Sequence, residues 1–243
     1  MAERVDDLQY KGLKIIQDSD MFCFGVDAVL LANMASKTQS KKTLDMCSGN
    51  GIVALLLAGK TDTPDIYALE IQQKASQLAR RSMEQNGLDG RVHVICGDLN
   101  NAHEMFSRGE FDVITCNPPY MKNTCGLTNE NEAMRIARHE IACTLEQVVE
   151  TAAYLLKPGG KLFLVHRPER LVDIFTSMRE NRIEPKRMRM VHPSPKKKAN
   201  IVLIEGAYMG GRELKMLEPL YVYDENGRYT KEIDDIYERG CEK

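Results

Sequence analysis

With 243 residues, 43% hydrophobic and 28% charged, the chain can build one α/β domain with appendages and has the composition of a soluble globular protein. It contains no run of about eighteen apolar residues, and its opening Met1-Ala2-Glu3-Arg4-Val5-Asp6-Asp7 is too polar for a signal peptide, so a membrane span is excluded and the cytoplasm is expected. The net charge of −2 conceals two opposed local fields: residues 179–198 hold eight Lys/Arg against two acids, and residues 224–243 hold seven acids against four bases.

In chain order, Leu13–Gln17 reads as a short strand, and within the stretch from Phe22 to Ala35 Asp27 can cap a helix. The apolar face of that helix (Val29, Leu30, Ala32, Met34) suits an amphipathic cover for a sheet edge. Thr43–Cys47 reads as a strand, Ser48-Gly49-Asn50-Gly51 as a tight turn and 52–58 as a buried helix. Ile66–Glu70 is a second strand ending in an acid, and Lys74–Asn86 is a helix closed by Gly87. Arg91–Cys96 is a third strand, followed by Asp98 and Leu99, and Phe111–Cys116 is a fourth. A helix over 145–156 stops at Lys157-Pro158-Gly159-Gly160, a turn into a strand over 161–166. A helix near 169–181 then leads to two strands, Glu184–Val191 and Ile201–Tyr208. This βα alternation predicts an α/β fold with a doubly wound, mostly parallel sheet and an antiparallel hairpin at the C-terminal end.

The seven cysteines are odd in number, scattered and without a Cys-x-x-Cys pair, so buried free thiols are expected and no metal site is assigned. Strand, glycine turn and helix at 43–58 form a cradle: the glycines let backbone approach a ligand, and a helix N-terminus offers N–H groups to a carboxylate or phosphate. Glu70, about twenty residues on, is placed to bind ribose hydroxyls. Gly49-x-Gly51-x-x-Ala54 also fits a dinucleotide fingerprint, so a nicotinamide dehydrogenase competes at this point.

The fourth strand stops at Asn117-Pro118-Pro119-Tyr120. Neither proline can donate to a ladder and each fixes φ, so Asn117 stands at a strand tip with Tyr120 in a stiff extended turn. The Asn117 side-chain oxygen and the Pro118 carbonyl can accept the two N–H bonds of an exocyclic or amide nitrogen, while Tyr120 stacks on the planar group. A proline-locked amide is not what hydride transfer requires, and this weighs against the dehydrogenase.

Asp45–Gly51, Glu70, Asp98 and Asn117–Tyr120 resemble the motifs of class I S-adenosylmethionine-dependent methyltransferases, in the branch that methylates planar exocyclic or amide nitrogens. Phe24–Ala32, Ala137-Arg138-His139-Glu140 and Lys197–Glu205 further resemble the bacterial tRNA(Val) adenine-N6 methyltransferases. The resemblance runs from about residue 22 to 208 and implies a seven-stranded Rossmann-like sheet, preceded by a strand and helix segment (1–42) on the cofactor side and followed by an extension (209–243). It implies S-adenosyl-L-methionine as cofactor and tRNA as partner, with no membrane and no metal. By resemblance, Asp45, Gly49, Asn50 and Gly51 line the methionine end, Glu70 the ribose, and Asp98 with Leu99 the adenine. Phe24, Gly25 and Asp27 close over the cofactor, and Asn117, Pro118 and Tyr120 carry the chemistry. Pro119, Tyr120, Arg138 and His139 shape the substrate side, with Arg187, Arg189, Lys196, Lys197 and Lys198 on phosphates. Cys47 departs from the pattern, standing where many members carry the first glycine of the loop.

Alternative substrates stay open on the residues alone. A glutamine amide in a release factor presents the same chemistry, as do a ribosomal-RNA guanine and a DNA adenine. A non-catalytic RNA-binding module would share the fold.

Overall fold

The structure, a computed structural model, describes residues 3–19, 21, 23–119 and 143–238. Seven strands make the body of one sheet: β3 (Lys42–Met46), β4 (Asp65–Glu70), β5 (Val92–Cys96), β6 (Phe111–Cys116), β7 (Leu156–His166), β8 (Ile183–His192) and β9 (Ile201–Tyr208). Their order is β5-β4-β3-β6-β7-β9-β8, with β9 antiparallel between β7 and β8 and every other neighbouring pair parallel. The doubly wound sheet with its antiparallel C-terminal hairpin is therefore as expected. Two further strands of two residues each, β10 (Lys215–Met216) and β11 (Leu220–Tyr221), pair with the outer edge of β8 and bring the sheet to nine.

The central strands alternate between two apolar layers because successive side chains leave a strand on opposite faces. In β6, Val113 joins one layer while Phe111, Ile114 and Cys116 join the other; in β7, Phe163 and Val165 face one way and Leu162 and Leu164 the other. The first layer is filled by α1 (Val26–Ala35), α2 (Ile52–Lys60) and Met83 of α3 (Gln73–Gln85), and the second by the short α4 (Ala102–Met105), α5 (Leu145–Leu155) and α6 (Leu171–Glu180).

Two features of α1 differ from the expectation. Its N-cap is Gly25, not Asp27, which lies inside the first turn. Its residues are buried almost all round, and it packs on α2, β6, β7 and β9 in place of covering an edge. The Lys157–Gly160 turn is likewise absorbed into the sheet: α5 runs straight into β7, and the ladder skips from Phe111↔Leu156 to Val113↔Lys161 across a bulge.

The ends of the chain brace this body. β1 (Glu3–Asp7) and β2 (Lys14–Asp18) form an antiparallel hairpin docked on α3 through Ile16 N–H to Ser82 Oγ at 3.0 Å and Lys14 N–H to Asn86 Oδ1 at 2.9 Å. Beyond β11, α7 (Lys231–Ile236) returns to α1, and Lys60 Nζ donates to the Ile236 carbonyl at 2.9 Å.

Between β3 and α2 the backbone enters the left-handed region three times, at Cys47 (φ 55), Gly49 (φ 56) and Gly51 (φ 83). A Cβ at Gly51 would lie 2.9 Å from Met83 Cε and 3.0 Å from Ala79 Cβ, whereas one at Gly49 would meet nothing within 4 Å. Gly51→Ala is expected to cost about 2–3 kcal/mol, from strain and overpacking together, and Gly49→Ala about 1 kcal/mol from strain alone. Urea unfolding of the two variants should show that order in midpoint with unchanged slope; equal losses would remove the packing argument.

Candidate functional site

The parallel strands end on one rim, and the register fixes which ends are neighbours. β3 pairs Asp45 with Ala68 on one side and with Thr115 on the other, so the chain leaving β3 emerges between the tips of β4 and β6. Crevices at the carboxyl ends of such strands are where open α/β sheets bind ligands. The left-handed turn is held there by Ser48 N–H to the Leu69 carbonyl at 3.1 Å and Gly51 N–H to the Ser48 carbonyl at 2.8 Å.

Glu70, at the tip of β4, accepts from Gly49 N–H on Oε2 and from Gln72 N–H on Oε1, both at 2.8 Å. Each carboxylate oxygen has two lone pairs, so the residue clamps the turn and keeps acceptor capacity for hydroxyls. Asp45 is 1% exposed. Thr115 donates to its Oδ1 at 2.7 Å, while Oδ2 is buried with no hydrogen-bond partner, as is Ser48 Oγ. These two atoms lie beside the open glycine turn; Ser177 Oγ, elsewhere in the core, is another buried polar atom without a hydrogen-bond partner among the described residues.

Asn117 follows β6, and its Nδ2 donates to Asp27 Oδ2 at 3.3 Å; Asp27 Oδ1 accepts from Ala28 N–H at 2.9 Å. A carboxylate can only accept, so the amide NH₂ must face Asp27 and Oδ1 is turned away from it. Gly25 has a steric reason to be glycine, because a Cβ there would sit 2.7 Å from Asp27 Oδ1. One residue the sequence reading missed is Gln17. Buried at the end of β2, it accepts from Phe24 N–H at 3.2 Å and from Asn50 Nδ2 at 3.5 Å, tying the approach to α1 to the glycine turn. Its only signal was a polar residue at the end of an apolar strand.

The structure thus brings Phe24, Gly25, Asp27, Asp45, Gly49, Asn50, Gly51, Glu70, Asn117, Pro118 and Pro119 to one rim. Asp98 lies two residues beyond β5 and caps the short 3-10 turn that follows, its Oδ1 accepting from Asn100 N–H and Nδ2 at 2.9 Å each, and the following Leu99 is a buried core residue. Tyr120, Arg138 and His139 lie outside the described residues.

The basic cluster divides. Arg187 is paired with Glu205, and Arg189 makes a two-point pair with Glu232 at 2.5 and 2.9 Å and also donates to the Glu218 carbonyl. Both guanidiniums thus carry a carboxylate partner within the protein. Lys196, Lys197 and Lys198 are exposed and make no ion pair among the described residues.

All five described cysteines are free thiols. Cys47 Sγ lies 3.6 Å from Cys143 Sγ, and Cys116 completes a trio under the turn. Sulfur–sulfur hydrogen bonding raises Cys47 and Cys143, and burial raises Cys116, so all three stay protonated.

Comparison with known proteins identifies this architecture. The family model for the methyltransferase small domain matches residues 12–180. The chain belongs to that methyltransferase family. A tRNA1(Val) (adenine(37)-N6)-methyltransferase of Tolumonas auensis is 32% identical over 73% of this chain and 76% of its own. One from Bacteroides fragilis (strain YCH46) is 27% identical over 94% of this chain and 96% of its own. Among solved structures, a predicted O-methyltransferase from Agrobacterium tumefaciens superposes with a TM-score of 0.71 at 21% identity, covering 87% of this chain and 95% of that one, which speaks to the fold. Among the described residues of this methyltransferase, no helix is long and apolar enough to cross a membrane.

Two buried groups near the rim titrate in opposite senses. Burial pushes Asp45 up to about 7, so the folded state keeps a proton that the unfolded chain releases near pH 4. Its contribution to stability is full below about pH 4 and is lost as pH rises to about 7. Burial, with Arg170 nearby, lowers His166 to about 4, so its contribution is full above about pH 6.5 and is lost as pH falls to about 4. Each slope reaches at most about 1.4 kcal/mol per pH unit, and in wild type they offset one another. Between about pH 4.5 and 6.5, Asp45→Asn should make stability rise more steeply with pH than in wild type, and His166→Gln should make it fall. Denaturant midpoints across that window check both signs, and parallel profiles for all three proteins would refute the assignment.

Proposed function

We propose that this methyltransferase transfers the methyl group of S-adenosylmethionine to the exocyclic N6 amine of an adenine in tRNA, at the adenosine beside the anticodon of a valine tRNA. The observation that carries the chemistry is Asn117, held at the tip of β6 with its NH₂ on Asp27 and its oxygen directed away. The choice of tRNA is supported by relatives along most of the chain that bear the name tRNA1(Val) (adenine(37)-N6)-methyltransferase.

The turn fits the cofactor. The orphaned Asp45 Oδ2 and Ser48 Oγ supply acceptors for an ammonium group, Gly49 leaves space where a side chain would stand, and Glu70 retains lone pairs for ribose hydroxyls. Asn50 and Gly51 complete the methionine side, Asp98 and the Leu99 segment the adenine side, and Phe24, Gly25 and Asp27 the cover. When bound, S-adenosylmethionine supplies a methyl group on a positively charged sulfur, already activated for in-line displacement.

The protein's part is positioning and desolvation. The Asn117 Oδ1 and the Pro118 carbonyl accept the two N–H bonds of the amine, opposing delocalisation of its lone pair into the ring. Pro119 keeps the backbone extended, and Tyr120 stacks on the base. The adenine must leave its stack to reach the rim, as in other base-modifying enzymes. Arg138 and His139 flank the substrate, and Lys196, Lys197 and Lys198 hold phosphates without reading sequence. No general base is assigned, since the amine sheds its proton after attack.

The test is transfer of labelled methyl to tRNA lacking its modifications, with nucleoside analysis of the product. Wild type should yield N6-methyladenosine, and Asn117→Ala should lower the rate by about a hundredfold or more with cofactor binding retained. Asp27→Ala should lower kcat by about tenfold, as expected of a positioning residue. Labelling of a release factor or ribosomal RNA in place of tRNA would keep the chemistry and overturn the substrate. Tight cofactor binding without transfer to any of them would favour a binding module.

A further inference from the structure

The C-terminal tail carries a surface that the methyl-transfer site does not use. β11 runs parallel to the end of β8, pairing Leu220 with Val191 and Tyr221 with His192. The tail then continues along the loop leaving β8, with Val222 N–H to the His192 carbonyl and Tyr223 N–H to the Pro193 carbonyl, both at 2.9 Å. It next makes a compact turn. Asp224 accepts from Asn226 N–H and Arg228 N–H at 2.8 and 2.9 Å, Gly227 takes φ 75, and Tyr223 bridges Tyr229 across the turn.

This turn stacks Tyr223 on Tyr229, with centroids 5.0 Å apart and planes inclined by 19°, and Tyr229 continues toward Tyr237 at 6.5 Å and 29°. Tyr223 and Tyr229 are nevertheless 38% and 39% exposed. A tight, multiply hydrogen-bonded turn that presents two aromatic residues to solvent is a preorganised surface, not a packing residue of the core. Three residues beyond Pro193 come Lys196, Lys197 and Lys198, exposed and outside every ion pair among the described residues. The acids nearest the rings are partly consumed: Asp224 caps its own turn and Glu232 holds Arg189, which leaves Glu225 as the exposed acid of the turn.

Because β8 is parallel to β6 and β7, its carboxyl end lies on the same rim as Asn117, three strands away along the sheet, or about 14 Å at the usual strand spacing. Unstacked bases are recognised by stacking on aromatic side chains beside a positive backbone track.

We propose that Tyr223 and Tyr229, with the Lys196–Lys198 loop, form a base-stacking platform for unpaired nucleotides of the RNA loop that carries the target adenosine. The platform rests on the tRNA reading above and adds the way in which the loop is gripped. It contributes stacking to the bases and leaves the methyl-transfer groups untouched.

Binding of an unmodified anticodon stem-loop and of a blunt RNA duplex is measured for wild type, Tyr223→Ala/Tyr229→Ala, Tyr223→Phe/Tyr229→Phe and a triple Lys196→Ala/Lys197→Ala/Lys198→Ala variant, together with cofactor binding and melting temperature. The alanine pair should bind the stem-loop about tenfold more weakly, with duplex and cofactor binding unchanged. The phenylalanine pair should restore stem-loop binding, and the lysine variant should flatten the salt dependence of both RNAs. Stem-loop binding by the alanine pair equal to wild type, or a loss matched on the duplex, overturns the platform while tRNA methylation by wild type still stands. Wild-type protein that neither binds nor methylates tRNA overturns both readings.

Discussion

Thr115 and Asp45 face each other across β6 and β3, and the hydroxyl of the first donates to the carboxyl of the second at 2.7 Å in a fully buried setting. The bond is an anchor point for the whole rim. Two residues after Asp45 the backbone turns left-handed at Cys47, and two residues after Thr115 stands Asn117. A one-residue slip of β3 against β6 would carry every side chain to the opposite face, so Asp45 would leave Thr115 and the turn would no longer meet Asn117. Burial that is costly for an ionised carboxyl favours the protonated form of Asp45, and a cationic ligand beside it would favour the ionised form, the proton leaving to solvent.

The turn stores strain, and its surroundings hold it in place. A non-glycine residue in the left-handed region costs about 1–2 kcal/mol, and Cys47 bears that cost where glycine would not. Offsetting contacts come from below, where its thiol meets those of Cys116 and Cys143, and from the side, where Glu70 clamps Gly49. Strained backbone persists where its surroundings over-determine it, and such places are commonly functional. Gln17 extends the same clamp to Phe24, so a hairpin near the N-terminus, the approach to α1 and the turn are joined by hydrogen bonds at the rim.

Most elements were legible because their signals are local. Alternation, glycine stops and the Pro118-Pro119 barrier gave most of the expected strands and helices to within a residue or two, β7 excepted, which starts at Leu156 and not at Lys161, and the glycine turn, Glu70 and Asn117 stood out by residue type. What was illegible depended on distant partners. Asp27 reads as a cap, but its carboxyl is committed to Asn117, ninety residues away in sequence, and Gly25 takes the cap position. Arg187 and Arg189 read simply as part of a basic run, because a window of twenty residues cannot show that Glu205 and Glu232 fold back onto them. Periodicity likewise missed that α1 is buried on nearly every side, since the N-terminal hairpin and α7 add apolar neighbours that a single-helix pattern does not encode.

Those ion pairs change how the charge distribution should be understood. Arg189 links the basic run to Glu232 of the acidic tail, Arg187 pairs with Glu205 and Arg179 with Glu184, while Lys196, Lys197 and Lys198 at the rim end make no ion pair among the described residues. The field of three exposed lysines decays over about 8 Å at physiological ionic strength. It can only orient a backbone already close to the rim. Orientation by phosphates needs a second, short-range contact to fix register, which is the part proposed above for the stacked Tyr223 and Tyr229. The tail thus has two consequences from one geometry: by pairing along β8 it satisfies part of an otherwise open sheet edge, and by overshooting that strand it extends the rim past His192.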